Sequence, residues 1–199
     1  MAREKAKKSQ VAKNDGPIPI SEFVDEKKVY AVRDKYGQCA AFAYQMHRLG
    51  VAGVLPKHQS DYFGWLCKCG SLVSVVSLTE IPALNGMLST LRRKMKVKEC
   101  WSNAATVAGL VPGVKIVLGQ AWGSGKSGLA VDHAWNVTKD GAHFDLTTGT
   151  THKTTIGDFR PSFSEYYAIE TVTLSQFDKL GKGDFIATLY KRSLKKKKR

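Results

Sequence analysis

The sequence predicts an α+β domain in which N-terminal helices pack on an antiparallel sheet. Helix-like segments that end at glycines fill the first half of the chain, and strand-like segments fill most of the second half. Lys-Asp-Gly at 139–141 separates two strand-like runs, which is typical of a hairpin. The 199 residues, 43% of them hydrophobic, suffice for one domain with a buried core. We therefore expect a single domain at 17–190, between a flexible basic arm at 1–16 and a basic tail at 191–199.

The first half of the chain predicts three helical regions and one region without a helix. Ser21 is the expected N-cap of the first helix, because acidic side chains that suit the helix dipole follow it. Gly37 is its expected end, since glycine commonly ends helices. The predicted boundaries are a helix over 21–37, a helix over 38–49, short buried strands or turns over 51–77, and a helix over 79–96 that is broken near Pro82 and Gly86.

The second half predicts mostly strands. An alanine-rich helix opens it, and turn signals separate the strand-like runs that follow. The predicted boundaries are a helix over 100–110, a strand over 114–122, a glycine- and serine-rich loop over 123–128, strands over 131–138 and 142–147, a strand over 166–174, a helix over 175–180 and a strand over 185–190.

The positive charge of the chain is concentrated at its two ends. The formal net charge is +14, of which residues 191–199 contribute +7 and residues 1–16 contribute +3. The charge of the tail comes mainly from Lys195, Lys196, Lys197, Lys198 and Arg199. Basic tails bind nucleic acid without reading its sequence, and they also act as solubilising segments or localisation signals.

The chain shows neither a secretory signal nor a membrane-spanning run. Residues 1–15 lack an apolar centre, and no apolar run reaches the roughly 18 residues that cross a bilayer. We therefore expect a cytoplasmic protein, or one packaged inside a virus particle, with no membrane partner. The four cysteines are then expected to be free thiols. Cys67 and Cys69 are too close in sequence for a structural zinc pair, so no metal is predicted.

Cys100 lies at the expected N-terminus of the helix over 100–110. A helix N-terminus presents unpaired N–H groups and partial positive charge. That environment favours a thiolate, and the same N–H groups can hold a developing oxyanion. A structural cysteine more often lies in the middle of a helix, so this position predicts a nucleophile.

His133 and Asp145 lie on the two strands of the expected hairpin. If 139–141 form a three-residue loop with Gly141 left-handed, the two side chains project from the same sheet face at diagonal positions. A two-residue loop would instead turn Asp145 to the other face. In the first register, Cys100, His133 and Asp145 match a catalytic triad of nucleophile, base and orienting carboxylate.

Four blocks of sequence surround these three residues. They are Cys-Trp-Ser-Asn-Ala-Ala at 100–105, Val-Pro-Gly-Val-Lys-Ile-Val-Leu-Gly-Gln-Ala at 111–121, His-Ala-Trp-Asn-Val at 133–137 and Phe-Asp-Leu-Thr at 144–147. Together they resemble the core of the transglutaminase-like (papain-like) cysteine enzymes, over about residues 98–150. The chain also resembles uncharacterised phage and bacterial proteins with Glu-Cys-x-x-Asn-Ala and His-Ala-Trp blocks.

The resemblance implies a transglutaminase-like or papain-like core and acyl-transfer chemistry. Cys100 would form a thioester with the acyl part of a peptide or protein amide, and water or an amine would resolve it. The chain is thus predicted to be a thiol-dependent hydrolase, such as a cysteine protease or amidase, or an acyltransferase, with no cofactor. We place its substrate cleft around Trp101, Asn103, Gln120 and Trp135.

Three alternatives compete with this prediction. Cys39 follows Gln38 at the start of a helix, as in papain-like oxyanion arrangements, and is the rival nucleophile unless it only packs in the core. The Gly-Ser-Gly-Lys-Ser-Gly run at 123–128 lacks the glycine spacing of a P-loop, which favours a loop beside the site over nucleotide hydrolysis. The charged ends favour a second function, that of a nucleic-acid-associated structural protein, for example in a virion, on an inactive enzyme fold.

Overall fold

The computed structural model describes residues 24–96, 99–123, 130–147, 163–181 and 184–196. They form a mixed α+β fold with seven α-helices and a five-stranded antiparallel sheet. The helices are α1 (Glu26–Tyr36), α2 (Gln38–Val51), α3 (Lys57–Cys69), α4 (Leu88–Lys94), α5 (Cys100–Leu110), α6 (Leu174–Asp178) and α7 (Phe185–Lys196). The strands are β1 (Ser71–Val73), β2 (Lys115–Gly123), β3 (Ala130–Val137), β4 (His143–Phe144) and β5 (Phe163–Val172).

Some of the predicted features lie outside the described residues. They are the arm at 1–16, the Ser21 cap, most of the loop over 123–128 and the tail residues Lys197, Lys198 and Arg199.

The sheet has the order β1-β5-β2-β3-β4, so that β5 lies between β1 and β2. Alternate residues of a strand face opposite sides of a sheet. Ile116 and Leu118 of β2 face the helices and pack with residues of α2, α3, α5 and α7. Val117 of β2 and Trp135 of β3 form a second cluster on the opposite face. The functional residues below are divided between these two faces.

Helix α1 begins later than the sequence predicts. Its N-cap is Asp25, whose side chain accepts a hydrogen bond from the backbone N–H of Lys27 at 3.1 Å. Helix α2 follows directly and continues to Val51, two residues beyond the expected end. Its first N–H group, that of Gln38, donates to the carboxylate of Glu165 on β5, so that this helix begins against the sheet.

Residues 57–69 form helix α3, and the prediction of short strands or turns there is wrong. Gly64 lies in the middle of this helix because α2 approaches very closely. A Cβ atom at Gly64 would lie 2.9 Å from the ring of His47. The ring of His47 in turn contacts the backbone oxygen of Ser60 through Nδ1 at 2.8 Å. The glycine thus serves helix packing rather than a turn.

The predicted helix over 79–96 is shorter than expected. Two single turns of 3-10 helix, Leu78–Glu80 and Pro82–Leu84, precede helix α4. Proline has no backbone N–H to donate and fixes its own φ, which explains why a regular helix does not start before Pro82.

The predicted last strand over 185–190 is wrong, because these residues form the first half of helix α7. Asp184 starts the helix by accepting a hydrogen bond from the N–H of Ala187 at 2.8 Å. Phe185, Ile186 and Leu189 are buried at helical spacing. Helix α7 then continues past residue 190 to Lys196, so the first six residues of the predicted tail are helical.

None of the helices within the described ranges combines the length and the apolar character that crossing a membrane requires.

Candidate active site

Cys100 is the first residue of α5, as the sequence predicts. The preceding residue, Glu99, is the N-cap, and its side chain makes no capping hydrogen bond. The first N–H groups of the helix therefore keep their capacity to bind a negative charge. The cysteine is 8% exposed, so its sulfur lies in a largely enclosed position at this helix terminus.

The hairpin of β3 and β4 has the register that a three-residue loop predicts. Asn136 pairs with Phe144, and Val137 pairs with His143. Gly141 has a φ of 88°, which is the left-handed conformation expected at this loop position. One step beyond Phe144, Asp145 therefore projects from the same sheet face as Trp135 and His133.

His133 and Asp145 form a buried pair. Nε2 of His133 lies 2.7 Å from Oδ2 of Asp145, and the two residues are 4% and 5% exposed. Because Asp145 occupies Nε2, Nδ1 is the ring nitrogen that remains for another partner.

Cys100 interacts with the His133 side chain and is one of the groups that raise the pKa of the ring. Burial of the ring lowers the pKa of His133. The charge and hydrogen bond of Asp145, together with the contact to Cys100, outweigh burial and raise the pKa to about 9. At neutral pH the ring is therefore an imidazolium between a carboxylate and a thiol.

Asp145 is held by two further groups. The hydroxyl of Tyr166 donates to Oδ2 at 2.9 Å, and the N–H of Thr147 donates to Oδ1 at 2.9 Å. These bonds restrict the orientation of the carboxylate beside the imidazole. Sequence reasoning missed Tyr166, since nothing local distinguishes it from the other aromatic residues of β5.

Aromatic rings surround the His133 imidazole. The ring centroids of Phe163, Tyr166 and Trp135 lie 4.8 Å, 5.9 Å and 6.1 Å from that of His133. Trp135, predicted to line the cleft, is 1% exposed and donates from Nε1 to Nδ1 of His143 at 3.0 Å. Trp135 therefore shields one side of the His133 ring from water, and it does not line an open cleft.

Asn103 and Trp101, also predicted for the cleft, have different positions. Asn103 is 2% exposed, and its side chain bonds both backbone groups of Lys96, at 2.8 Å and 2.7 Å. The same amide donates to Thr147 Oγ1 at 3.2 Å. Asn103 thus joins the segment before Cys100 to the residues after Asp145. Trp101 is partly buried and packs on Phe185 with a centroid distance of 4.6 Å.

Gln120, the fourth predicted cleft residue, lies on the opposite sheet face from His133. It pairs with Asp132 across β2 and β3, and its Nε2 donates to Asp132 Oδ1 at 3.1 Å. Gln120 is 5% exposed.

Cys39, the rival nucleophile, lies in a different part of the molecule. It is 1% exposed in α2 and packs against Tyr167, whose side chain points to the sheet face opposite that of Tyr166. Burial and the charge of Glu165 raise the pKa of Cys39 to about 12. A thiol that stays protonated is a poor nucleophile, and the structure does not bring it to the His133–Asp145 pair.

A cavity of about 300 Å³ lies beside strands β1 and β5. It is lined by residues 72–75 and by residues 163–166 of β5, including Phe163 and Tyr166. The rings of Phe163 and Tyr166 also lie against His133, so the cavity and the imidazole have two neighbouring residues in common. Within the described residues, no three histidine, cysteine or acidic side chains come together in a way that could hold a metal ion.

Comparison of the chain with protein-family models, curated proteins and solved structures finds no match. The arrangement of the site defines a buried Cys-His-Asp constellation on a mixed α+β fold. The resemblance to transglutaminase-like enzymes stays a prediction that rests on the four sequence blocks.

Proposed function

We propose that the protein is a thiol-dependent hydrolase or acyltransferase that acts on an amide or isopeptide bond through a transglutaminase-like core. The observation that carries this proposal is the buried His133–Asp145 pair at 2.7 Å, together with the effect of Cys100, the first residue of α5, on the pKa of His133. A nucleophile, a base and an orienting group in contact are the signature of nucleophilic catalysis.

The first half of the reaction forms a thioester. The Cys100 thiolate attacks the carbonyl carbon of the amide, and the carbonyl oxygen becomes an oxyanion close to the first N–H groups of α5. The imidazolium of His133 then gives its proton to the departing nitrogen. The C–N bond breaks, the amine leaves, and the acyl group remains on the sulfur.

The second half releases the acyl group. Neutral His133 accepts a proton from water, or from an amine, as that molecule attacks the thioester carbonyl. The C–S bond breaks and returns the thiolate, so that Cys100 and His133 recover their starting protonation states. Throughout, Asp145 stabilises the positive charge on His133 and fixes the orientation of its ring.

The test is the reactivity of Cys100 towards iodoacetamide at neutral pH, with mass spectrometry of each labelled cysteine. Cys69 is exposed and serves as the internal reference. A thiolate held by His133 should make Cys100 react roughly tenfold faster than Cys69, although Cys100 is more buried. Equal or slower labelling of Cys100 would contradict the proposal, and His133→Ala should remove the difference.

A second candidate function is binding of nucleic acid through the basic C-terminal segment. Helix α7 carries Lys191, Arg192, Lys195 and Lys196, and all four are exposed. These residues present a local positive surface to which a phosphate backbone binds without sequence preference. The two functions are compatible, because a basic helix can deliver an enzyme to a polyanion.

A further inference from the structure

Gln120 presents a buried amide oxygen that has no hydrogen-bond partner among the described residues. The residue is 5% exposed, and its Nε2 is already used by Asp132 at 3.1 Å. Rotating the amide would turn its oxygen towards the carboxylate of Asp132, so the observed orientation is the favourable one. A buried acceptor without a donor costs free energy, which makes Oε1 of Gln120 a candidate ligand-binding atom.

Two carboxylates accompany Gln120. Asp132 precedes His133 in β3 and projects from the opposite sheet face, beside Gln120. Asp184 starts helix α7 and uses Oδ1 to accept from the N–H of Ala187 at 2.8 Å. Asp132 is exposed at its outer side, yet the partial burial of its carboxylate raises its pKa; the hydrogen bond from Gln120 opposes this rise and the charge of Asp184 adds to it.

The ring of Tyr62 belongs to the same cluster. Burial, followed by the charges of Asp132 and then Asp184, raises the pKa of its hydroxyl, as expected for a ring within range of both carboxylates. Tyr62 therefore remains a neutral hydrogen-bond donor with an aromatic face. An aromatic face beside carboxylates is a favourable site for an organic cation.

This cluster is linked to the candidate nucleophile through neighbouring residues. Phe185 follows Asp184, and its ring packs on Trp101 at 4.6 Å. Trp101 follows Cys100 in α5, and Asp132 precedes His133 in β3. Asp132 is thus the neighbour of His133 in the chain. Asp184 is connected to Cys100 through the contact between the Phe185 and Trp101 rings.

We propose that Gln120, Asp132, Asp184 and Tyr62 form a subsite that binds a primary ammonium group on the substrate, such as a lysine side chain adjacent to the bond that reacts. The inference rests on the proposed thiol chemistry and adds specificity to it. The ammonium is not the reacting nitrogen, since Gln120 and Asp132 project from the sheet face opposite that of His133.

The chemistry of the cluster fits an ammonium group. An ammonium has three N–H donors on a compact charge. The amide oxygen of Gln120 and the carboxylates of Asp132 and Asp184 supply three acceptors. A general attraction does not account for cation binding, because the whole chain has a net charge of +14 and repels cations. Preference for a cation at this point must therefore come from the local carboxylates.

The experiment compares two reagents that modify thiols in the same way. Methyl methanethiosulfonate is neutral, and 2-aminoethyl methanethiosulfonate carries a primary ammonium. Rates are measured by mass spectrometry at Cys100 and at Cys69 in the full chain. We expect the cationic reagent to be preferred at Cys100 by roughly tenfold relative to the preference at Cys69, which is the usual effect of a charge-assisted hydrogen bond.

Competition by a free ammonium compound is a second measurement. Nα-acetyl-lysinamide should slow the labelling of Cys100, whereas its neutral counterpart, Nα-acetyl-norleucinamide, should not.

The variants Asp132→Asn and Asp184→Asn keep the shape of the side chains, and asparagine can still cap α7. Each should abolish most of the preference for the cationic reagent and leave the rate with the neutral reagent unchanged. Asp178→Asn is the matched control, because Asp178 is an exposed carboxylate on α6.

The outcomes separate the two proposals. Fast reaction of Cys100 with both reagents, without preference for the cation, would overturn the subsite and leave the thiol chemistry intact. Slow reaction of Cys100 with the neutral reagent would contradict the thiol chemistry. A preference that survives Asp132→Asn and Asp184→Asn, or that Asp178→Asn abolishes equally, would also overturn the subsite.

Discussion

Oδ2 of Asp145 receives two hydrogen-bond partners at once, Nε2 of His133 at 2.7 Å and the hydroxyl of Tyr166 at 2.9 Å. The carboxylate therefore stabilises the imidazolium while a buried hydroxyl fixes its position. Both contacts lie beneath the aromatic rings that keep water from the pair, where charge interactions are stronger than in water.

Asp145→Asn should reduce the reactivity of Cys100. The amide keeps the size of the side chain but removes the charge that raises the pKa of His133 above its usual value. The imidazolium then becomes less populated at neutral pH, and Cys100 loses the positive charge beside it. We expect alkylation of Cys100 by iodoacetamide to slow by roughly tenfold, since one pKa unit corresponds to that factor. An unchanged rate in a folded variant would mean that Asp145 does not act on the thiol through His133.

Tyr166→Phe should destabilise the fold and loosen Asp145. The variant removes one buried hydrogen bond to a carboxylate, a loss of about 1.5–3 kcal/mol in the free energy of unfolding. Urea denaturation measures this loss. The pKa of His133, followed by NMR of the ring, should change at the same time, because its partner carboxylate gains freedom. A stability loss without any change in the titration of His133 would limit Tyr166 to a packing role.

The stability of the protein should fall as the pH rises from about 6.5 to about 9. His133 titrates near 6.5 when unfolded and near 9 when folded. Between these values the folded state binds more protons than the unfolded state, so the free energy of unfolding decreases with pH. The contribution is fully present below 6.5 and is lost above 9. Urea denaturation across this window checks the slope, and His133→Gln should flatten it.

The hairpin of the site is predictable because local chemistry decides it. A three-residue loop with a left-handed Gly141 fixes the register, and the register alone decides that His133 and Asp145 share a face. The N-terminal position of Cys100 is likewise visible, since an alanine-rich helix begins there. The division of the molecule into helices and an antiparallel sheet follows from the same periodic patterns.

The parts that the sequence did not reveal depend on tertiary contacts. Residues 185–190 are rich in residues that favour strands, and a short apolar run does not distinguish strand from helix. The helical conformation is favoured because it buries Phe185 and Leu189 on one face. The glycine at position 64 is needed because His47 approaches closely, a tertiary contact that no local pattern contains. Tyr166 and Asp132 acquire their roles only through neighbours that are distant in sequence.

Asn103→Ala should destabilise the segment that leads to Cys100. The variant leaves the backbone N–H and oxygen of Lys96 without their partners at 2.8 Å and 2.7 Å. A loss of about 2–3 kcal/mol in the free energy of unfolding is expected for these unsatisfied groups. Ser102→Ala is the matched control, because Ser102 is exposed in the same turn of α5. If the two variants have equal stability, Asn103 does not hold this segment.

The function of the basic segment is best tested by changing charges rather than by truncation. Removal of residues 191–199 would cut α7, and the loss of helix could be mistaken for a loss of charge. A triple variant at the exposed lysines Lys27, Lys35 and Lys57 removes the same charge from α1 and α3. It therefore controls for the effect of net charge on binding.

Lys191→Gln, Lys195→Gln and Lys196→Gln together should weaken binding to DNA or RNA at low salt. These side chains are exposed at the C-terminal end of α7, so glutamine keeps the helix and removes three positive charges. Each phosphate contact that is lost lowers the salt dependence, so the slope of log K against log salt should decrease in size by roughly 2 to 3. Fluorescence anisotropy with a labelled oligonucleotide, repeated at several salt concentrations, measures the slope. Because a general charge effect would act equally from any surface, the triple variant on α1 and α3 should change the slope much less. Equal slopes for the two variants would show that α7 is not a preferred phosphate-binding surface.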